Sequence, residues 1–260
     1  MSVKTFRSIV PLTAVLLVAA ACSDGGDGPA APSSSAPTAS APITSAQPTP
    51  TAAPNPYADL SPDARDRQLV RAARSGNDGK IGLLVAAGAD LETRDEHDRT
   101  PLLIAVTRDH VDAAQALVTA GADPDALDDR HDTPWLVTGV TGSVAMARVV
   151  LQADPDLTIR NRFGGLSHIP ASERGHADYV DLVLDETDIA IDHVNDLGWT
   201  ALLEAVILGE GTKPWQRIVD SLVEHGADVS ITDRDGVTAA QHARRLGFTD
   251  IASILDRAPS

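Results

Sequence analysis

Few residues of this chain could carry chemistry, and their spacing fits no known site. Cys22 is the only cysteine among 260 residues, so neither a cysteine-based zinc site nor an intramolecular disulfide can form. The segment Gly76-Asn-Asp-Gly79-Lys80 resembles part of a phosphate-binding loop. Its spacing is wrong, however, and Ile81 stands where Ser or Thr would bind magnesium. We interpret this segment as a turn between two helices.

The acidic and imidazole side chains also lack a ligand pattern. Asp123, Asp125, Asp128 and Asp129 lie close together, but they lack the glycine and closing glutamate of a calcium loop. We interpret them as turn residues. The eight histidines are scattered, and neither a His-Glu-x-x-His helix nor a Gly-x-Ser-x-Gly elbow occurs. The sequence predicts no catalytic residues, no metal ligands and no cofactor, so we do not expect an enzyme.

The chemistry that Cys22 does allow is lipidation. Lys4 and Arg7 precede an apolar run, Ile9–Ala21, which is typical of a secretory signal peptide and too short for a bilayer span of about 20 residues. Cys22 follows three alanines and resembles the cysteine of the bacterial lipobox, although Ala19 occupies the usual leucine position. An uncleaved anchor helix is the alternative. We expect an exported chain, anchored by a diacylated Cys22 to the outer face of the bacterial cell membrane.

A low-complexity segment follows the cysteine. Residues 22–56 are mainly Gly, Pro, Ala, Ser and Thr, and they cannot bury enough apolar surface to offset the entropy lost on ordering. The expected organisation is therefore a signal peptide over residues 1–21, a lipidated and disordered tether over 22–56, and a folded domain over 57–260.

The folded domain contains an internal repeat. Thr100-Pro101-Leu102 recurs 33 residues later as Thr133-Pro134-Trp135, and Gly88-Ala89-Asp90 recurs in the same way at Gly121. Thr before Pro is typical of a helix start, and Gly of a helix end. These motifs, with helical spacing of the apolar residues between them, resemble the ankyrin repeat. The resemblance implies an all-α solenoid of about six helix-turn-helix repeats with β-turn tips.

The repeat boundaries follow from aligning these motifs. We expect repeats to start near residues 62, 95, 128, 161, 195 and 233, with first helices near Arg67, Thr100, Thr133, Leu166, Thr200 and Thr238. The fourth repeat lacks Thr-Pro and carries Pro170, which predicts a distorted or shortened first helix. The fifth repeat has about five extra residues within Gly209–Trp215, between its two helices.

The resemblance also indicates a function. Ankyrin stacks present a groove of turn tips and first helices, so we expect a non-catalytic, monomeric module that binds a protein partner. A protective or immunity-type role, shielding an exported enzyme or toxin, is the alternative, and the motif search disfavours an enzyme or metal carrier. The formal charge of −16 argues against nucleic acid, which is bound through Lys and Arg.

The groove positions change character along the chain. They are mostly polar in the second and third repeats and become apolar in the fourth and fifth. Exposed apolar patches and tryptophans favour an interface. The candidate partner-binding residues are Phe163, Leu197, Trp199, Ile207, Leu208, Trp215, Arg99, Arg108 and Arg130. The alternative for Trp199 and Trp215 is that they pack against the irregular fourth repeat and the insertion.

Overall fold

The computed structural model describes residues 54–258. The predicted signal peptide, Cys22 and all but the last three residues of the predicted tether lie outside the described residues. Within residues 54–258 the regular structure is helical, apart from an isolated antiparallel bridge between Thr232 and Thr238. No helix in this part of the chain has both the length and the apolar character needed to cross a bilayer.

Twelve helices in the described residues form six consecutive pairs. They are α1 (Pro62–Ser75) with α2 (Asp78–Ala86), α3 (Pro101–Thr107) with α4 (Val111–Thr119), α5 (Pro134–Thr141) with α6 (Val144–Leu151), α7 (His168–Glu173) with α8 (Ala177–Glu186), α9 (Ala201–Ile207) with α10 (Lys213–Glu224), and α11 (Ala239–Leu246) with α12 (Thr249–Asp256). First helices contact neighbouring first helices, and second helices contact second helices. The pairs therefore stack in two layers that share one apolar core.

The predicted threonine caps are confirmed at four helix starts. The Thr100 hydroxyl accepts the Leu103 N–H at 3.2 Å, and Thr133, Thr200 and Thr238 cap α5, α9 and α11 in the same way. The predicted start of the first helix near Arg67 is wrong. α1 begins at Pro62, because Ser61 accepts the Ala64 N–H and Pro62 needs no partner at the first helical position.

The shortened helix predicted for the fourth repeat is confirmed. α7 has six residues, and its N-cap Ser167 makes no side-chain cap bond. Pro170 is the third residue of α7, within the first turn, where no intrahelical hydrogen bond is lost to it. The second helix, α8, ends without glycine because the Thr187 hydroxyl donates to the Val183 carbonyl at 2.6 Å.

Part of the extra sequence in the fifth repeat is helical and lengthens α10. α10 has twelve residues, whereas the other second helices have eight to ten. Lys213, Pro214 and Trp215 form its first turn, so only Leu208–Thr212 remain outside helix between α9 and α10. The prediction that the extra residues up to Trp215 lie between the two helices is therefore wrong for Lys213–Trp215, because proline in the first turn of a helix lacks an N–H that would need a partner there.

Candidate functional site: the groove of the fourth and fifth repeats

Two cavities share a wall on the side of the turns and first helices, and we call them together the groove. The first, of about 190 Å³, lies between the fourth and fifth repeats, and the second, of about 300 Å³, extends toward the third. Their common lining residues are Asn161, Phe163, Pro170 and Glu173. The groove therefore runs continuously across three repeats.

The turn chemistry determines which side chains reach the groove. The Asn195 amide oxygen accepts the N–H groups of Leu197 and Trp199, both at 3.0 Å, and Asn161 does the same for Phe163 and Gly165. Equivalent bonds hold the turns at Asp95, Asp128 and Asp233. These Asx turns begin at five of the predicted repeat starts, residues 95, 128, 161, 195 and 233.

Three predicted candidates meet in the smaller cavity. Phe163, Leu197 and Leu208 line it with 53%, 47% and 46% of their surface exposed. Val140, which the sequence analysis missed, lines the larger cavity and is 38% exposed. Val140 is the seventh residue of α5, a polar position in the neighbouring repeats. Four large apolar side chains are thus left in water on one face.

Glu204 is the functional group of the groove that sequence reasoning missed. It lies on α9, lines the smaller cavity and is 5% exposed, and its Oε1 accepts the Asn195 Nδ2–H at 2.7 Å. Burial, with a further upward contribution from the Glu173 carboxylate, raises the pKa of Glu204 to about 7, although the Asn195 hydrogen bond and the Arg174 charge act to lower it. A carboxyl with this pKa changes charge near neutral pH.

Trp215 lies away from the groove, against the turn between α7 and α8. Its Nε1–H donates to the Glu173 carbonyl at 3.1 Å, and its ring covers Gly175, where a Cβ would lie 3.0 Å from the ring. His176 occupies the equivalent place one repeat earlier, with its ring over Gly142. Trp215 therefore has the position of a residue that packs one repeat on the next.

Trp199 and Ile207 line neither cavity. Both are half-buried and pack against the core. Trp199 occupies the turn position that Arg99 has in the second repeat, directly before the capping threonine. The structure therefore separates these two residues and Trp215 from the apolar groove side chains.

The three arginine candidates lie in different surroundings. Arg130 lines the larger groove cavity and also a polar cavity of about 320 Å³ between the second and third turns. Arg99 lines only the polar cavity and is bound by Asp95 at 2.8 Å. Arg108 is exposed and follows α3 without lining either groove cavity.

A fourth arginine, Arg162, was missed by the sequence analysis. Its guanidinium lies 4.7 Å from the centre of the Phe163 ring and 3.3 Å from the Asp132 carboxylate. Like Arg130, it lines the larger cavity, so basic groups flank the end of the groove that lies toward the third repeat.

The segments suspected of chemistry have structural roles. The turn interpretation of Gly76–Lys80 holds for Gly76 and Asn77, which join α1 to α2, whereas Asp78–Lys80 form the first turn of α2, capped by Asn77, which accepts the Lys80 N–H at 2.8 Å. Asp123 accepts the Asp125 N–H, and Asp125 accepts the Asp156 N–H of the next repeat, both at 2.9 Å. In residues 54–258 no three His, Cys, Asp or Glu residues are grouped as metal ligands.

Comparison with known proteins agrees with this architecture. Residues 69–161 match the family model for three copies of the ankyrin repeat, and residues 197–234 match the single ankyrin repeat. An ankyrin repeat protein of Escherichia coli (strain K12), YahD, is 38% identical over 184 residues, which is 71% of this chain and 92% of YahD.

This chain belongs to the ankyrin repeat family.

Solved ankyrin structures have the same fold. An ankyrin repeat domain from Acinetobacter baumannii AYE is 39% identical, with a TM-score of 0.71 over 73% of this chain and 96% of that domain. The ankyrin repeat domain of Bcl-3, a member of the IkappaB family, is 27% identical, with a TM-score of 0.66 over 74% of this chain and 86% of that chain. Ankyrin repeats are typically non-catalytic scaffolds, so this chain is a protein-interaction module.

Proposed function

We propose that this ankyrin stack is held outside the cytoplasmic membrane by a lipidated Cys22, and that it captures a protein partner in the groove of its third to fifth repeats. The distribution of exposed apolar side chains is the observation that supports the groove as the binding surface. Of the eight large apolar residues exposed in residues 54–258, Val140, Phe163, Leu197 and Leu208 line the groove. Contiguous apolar surface left in water typically marks an interface.

The other cavities support the groove as the binding surface by contrast. One of them, of about 430 Å³, lies near the turns between paired helices and is lined by Arg217, Lys213 and Asp178 among others. Arg217 is bound by Asp178 at 2.6 Å and by Asp181, so its charge is already matched within the chain. That cavity offers a partner little apolar surface and no unmatched arginine.

The binding proposal is tested with two matched variants. Leu208→Asp places a charge in the groove, and Leu83→Asp places the same charge on α2 at a similarly exposed leucine, 43% against 46%. Full-length tagged chains are expressed in the native envelope, cross-linked and purified. We expect Leu208→Asp to lower the yield of the co-purifying partner about tenfold or more, because a desolvated charge disrupts an apolar contact.

Leu83→Asp should capture as much partner as the unchanged chain, with both variants melting within a few degrees of it. Equal capture by the two aspartate variants would contradict the proposal that the groove is the binding surface. The identity of the captured protein then separates simple capture from a protective role, which requires an exported enzyme or a toxin.

The membrane proposal is supported by Lys4, Arg7, the apolar run Ile9–Ala21 and the position of Cys22. Cys22→Ala should release the mature chain from the membrane fraction or leave an unprocessed precursor, because the thiol is the only attachment point for the acyl chains. Fractionation and intact-mass measurement report both outcomes. A Cys22→Ala chain that is processed and remains membrane-bound contradicts the lipoprotein assignment.

A further inference from the structure

We propose that the smaller groove cavity is a subsite for a lysine side chain of the partner, with the Glu204 carboxylate receiving the ammonium group. The inference rests on the proposed use of the groove for binding and assigns the chemistry of one contact within it. Three observations support the inference: the apolar walls of the cavity, the hydrogen bonds of Glu204 and the charges around Glu204.

The walls suit an alkyl chain. The cavity of about 190 Å³ is lined by the apolar side chains of Phe163, Ile169, Pro170, Leu197 and Leu208. A lysine side chain buries four methylene groups and keeps its charge at the tip. The apolar walls can contact the methylene groups, and the carboxylate among them can bind the ammonium at the tip.

The hydrogen bonds of Glu204 leave one oxygen for a ligand. Oε1 accepts the Asn195 Nδ2–H, and the Asn195 amide cannot reorient, because its own oxygen holds the N–H groups of Leu197 and Trp199. Within residues 54–258 no hydrogen bond reaches Oε2, and Glu204 lines the cavity. A single free oxygen suits an ammonium, whereas the guanidinium fork of arginine binds two oxygens side by side.

The charges around Glu204 favour a cation from outside the chain. Arg174 is the basic group near enough to act on Glu204, but its Nη1 donates to the Glu173 carboxylate at 3.0 Å and to the Pro170 carbonyl at 3.3 Å. Burial and Glu173 both raise the pKa of Glu204, and an ammonium at Oε2 would reverse that effect. Because no three His, Cys, Asp or Glu residues are grouped as metal ligands within residues 54–258, we assign the subsite to an organic cation.

The test uses the full chain in detergent and three labelled hexapeptides that differ at one position between leucines, which carries lysine, arginine or norleucine. Fluorescence polarisation gives each affinity. We expect the lysine peptide to bind at least about tenfold more tightly than the norleucine peptide, because lysine makes a charge-assisted hydrogen bond to Glu204 and norleucine leaves that carboxylate unpaired. The lysine peptide should also bind more tightly than the arginine peptide.

Two variants separate the charge from the apolar walls. Glu204→Gln should weaken the lysine peptide about tenfold and leave the norleucine peptide unchanged, whereas Leu208→Ala should weaken both. Glu224→Gln, an exposed residue of α10, removes the same charge elsewhere and should change neither affinity.

Equal affinity of the lysine and norleucine peptides overturns the proposal, as does unchanged lysine-peptide affinity in Glu204→Gln. Binding of the arginine peptide as tightly as the lysine peptide overturns the ammonium assignment, and so does the absence of binding up to about 1 mM peptide. If any of these results occurs and Leu208→Asp still loses partner capture, the lysine subsite is wrong, but the groove remains supported as the proposed binding surface.

Discussion

The second and fifth repeats have the same turn but opposite electrostatics. In the second, Asp95 holds the turn and is bound by Arg99 at 2.8 Å and Arg74 at 3.1 Å. Burial would raise the pKa of Asp95, but the bonds from Arg99 and the backbone outweigh it and lower the pKa to about 2. In the fifth, Asn195 holds the turn, and its partner is the buried carboxyl of Glu204.

This difference separates a structural role from a binding role. The lowered pKa of Asp95 means that its ionised form stabilises the folded state, whereas a buried carboxylate without a cation is unfavourable until one arrives. Ile104 of the second repeat occupies the position that Glu204 has in the fifth, so the stack itself does not require an acid there. We therefore assign a stabilising role to Asp95 in the second repeat and propose a recognition role for Glu204 in the fifth, and three predictions test this contrast.

The largest effect is expected from Glu204→Gln, which should stabilise the protein. The folded-state pKa of about 7 lies above the ordinary 4.5, so the folded state binds the proton more tightly, and stability falls as pH rises from about 4.5 to about 7. At pH 8 the variant should gain about 2–3 kcal/mol in free energy of unfolding, measured by urea titration.

The gain from Glu204→Gln should vanish below about pH 4.5, where the carboxyl is protonated in both states. Glu224→Gln provides the control for the change in net charge. A Glu204→Gln chain that is less stable than the parent at pH 8 would place Glu204 among the structural residues, alongside Asp95.

The second prediction is that Asp95→Asn destabilises the protein by about 1–2 kcal/mol at pH 7, because Arg99 and Arg74 lose their shared carboxylate. The contribution of Asp95 is complete above its ordinary pKa of 3.8 and is lost as pH falls toward about 2. The control is Glu96→Gln, since Glu96 contacts Arg74 at 3.4 Å with 64% of its side chain exposed and should cost under about 0.5 kcal/mol. Equal losses in the two variants would show that the buried position of Asp95 adds nothing.

The smallest effect concerns the fourth repeat, which forms the other wall of the groove. Its helix α7 lacks the side-chain cap that Thr100 provides for α3, and such a cap is worth about 1 kcal/mol. Amides between Phe163 and Asp192 should therefore exchange about fivefold faster than those of α3 and α4 in native-state hydrogen exchange. Equal protection in the two repeats would mean that packing of α7 between α5 and α9 fully replaces the cap.

Local signals of the sequence predicted the scaffold well. Thr-Pro pairs, Asx turns and helix-ending glycines depend only on neighbouring residues, so the repeats and most helix starts followed from them. The start of α1 did not, because Ser61 and Pro62 replace the motif used for alignment five residues later.

The groove followed from the sequence only in part. Phe163, Leu197 and Leu208 stand at turn and helix-end positions, which the ankyrin resemblance assigns to the groove, so their apolar character alone indicated a patch. Glu204 lies within an otherwise apolar helix, and its burial beside a cavity depends on the contact of α9 with α7, which no local motif indicates. The insertion before Trp215 hides its equivalence to His176 in the sequence, whereas in the structure each ring lies over the glycine of the preceding repeat, Gly175 and Gly142.

The most direct test of the contrast between the repeats is a carbon NMR titration of the side-chain carboxyls. We predict that Glu204 titrates near pH 7 and Asp95 near pH 2 in the same sample. Addition of the lysine peptide should move the Glu204 midpoint downward and leave Asp95 unchanged. A Glu204 midpoint near the ordinary 4.5, unaffected by the peptide, would contradict the account, because the fifth repeat would then hold no uncompensated carboxyl.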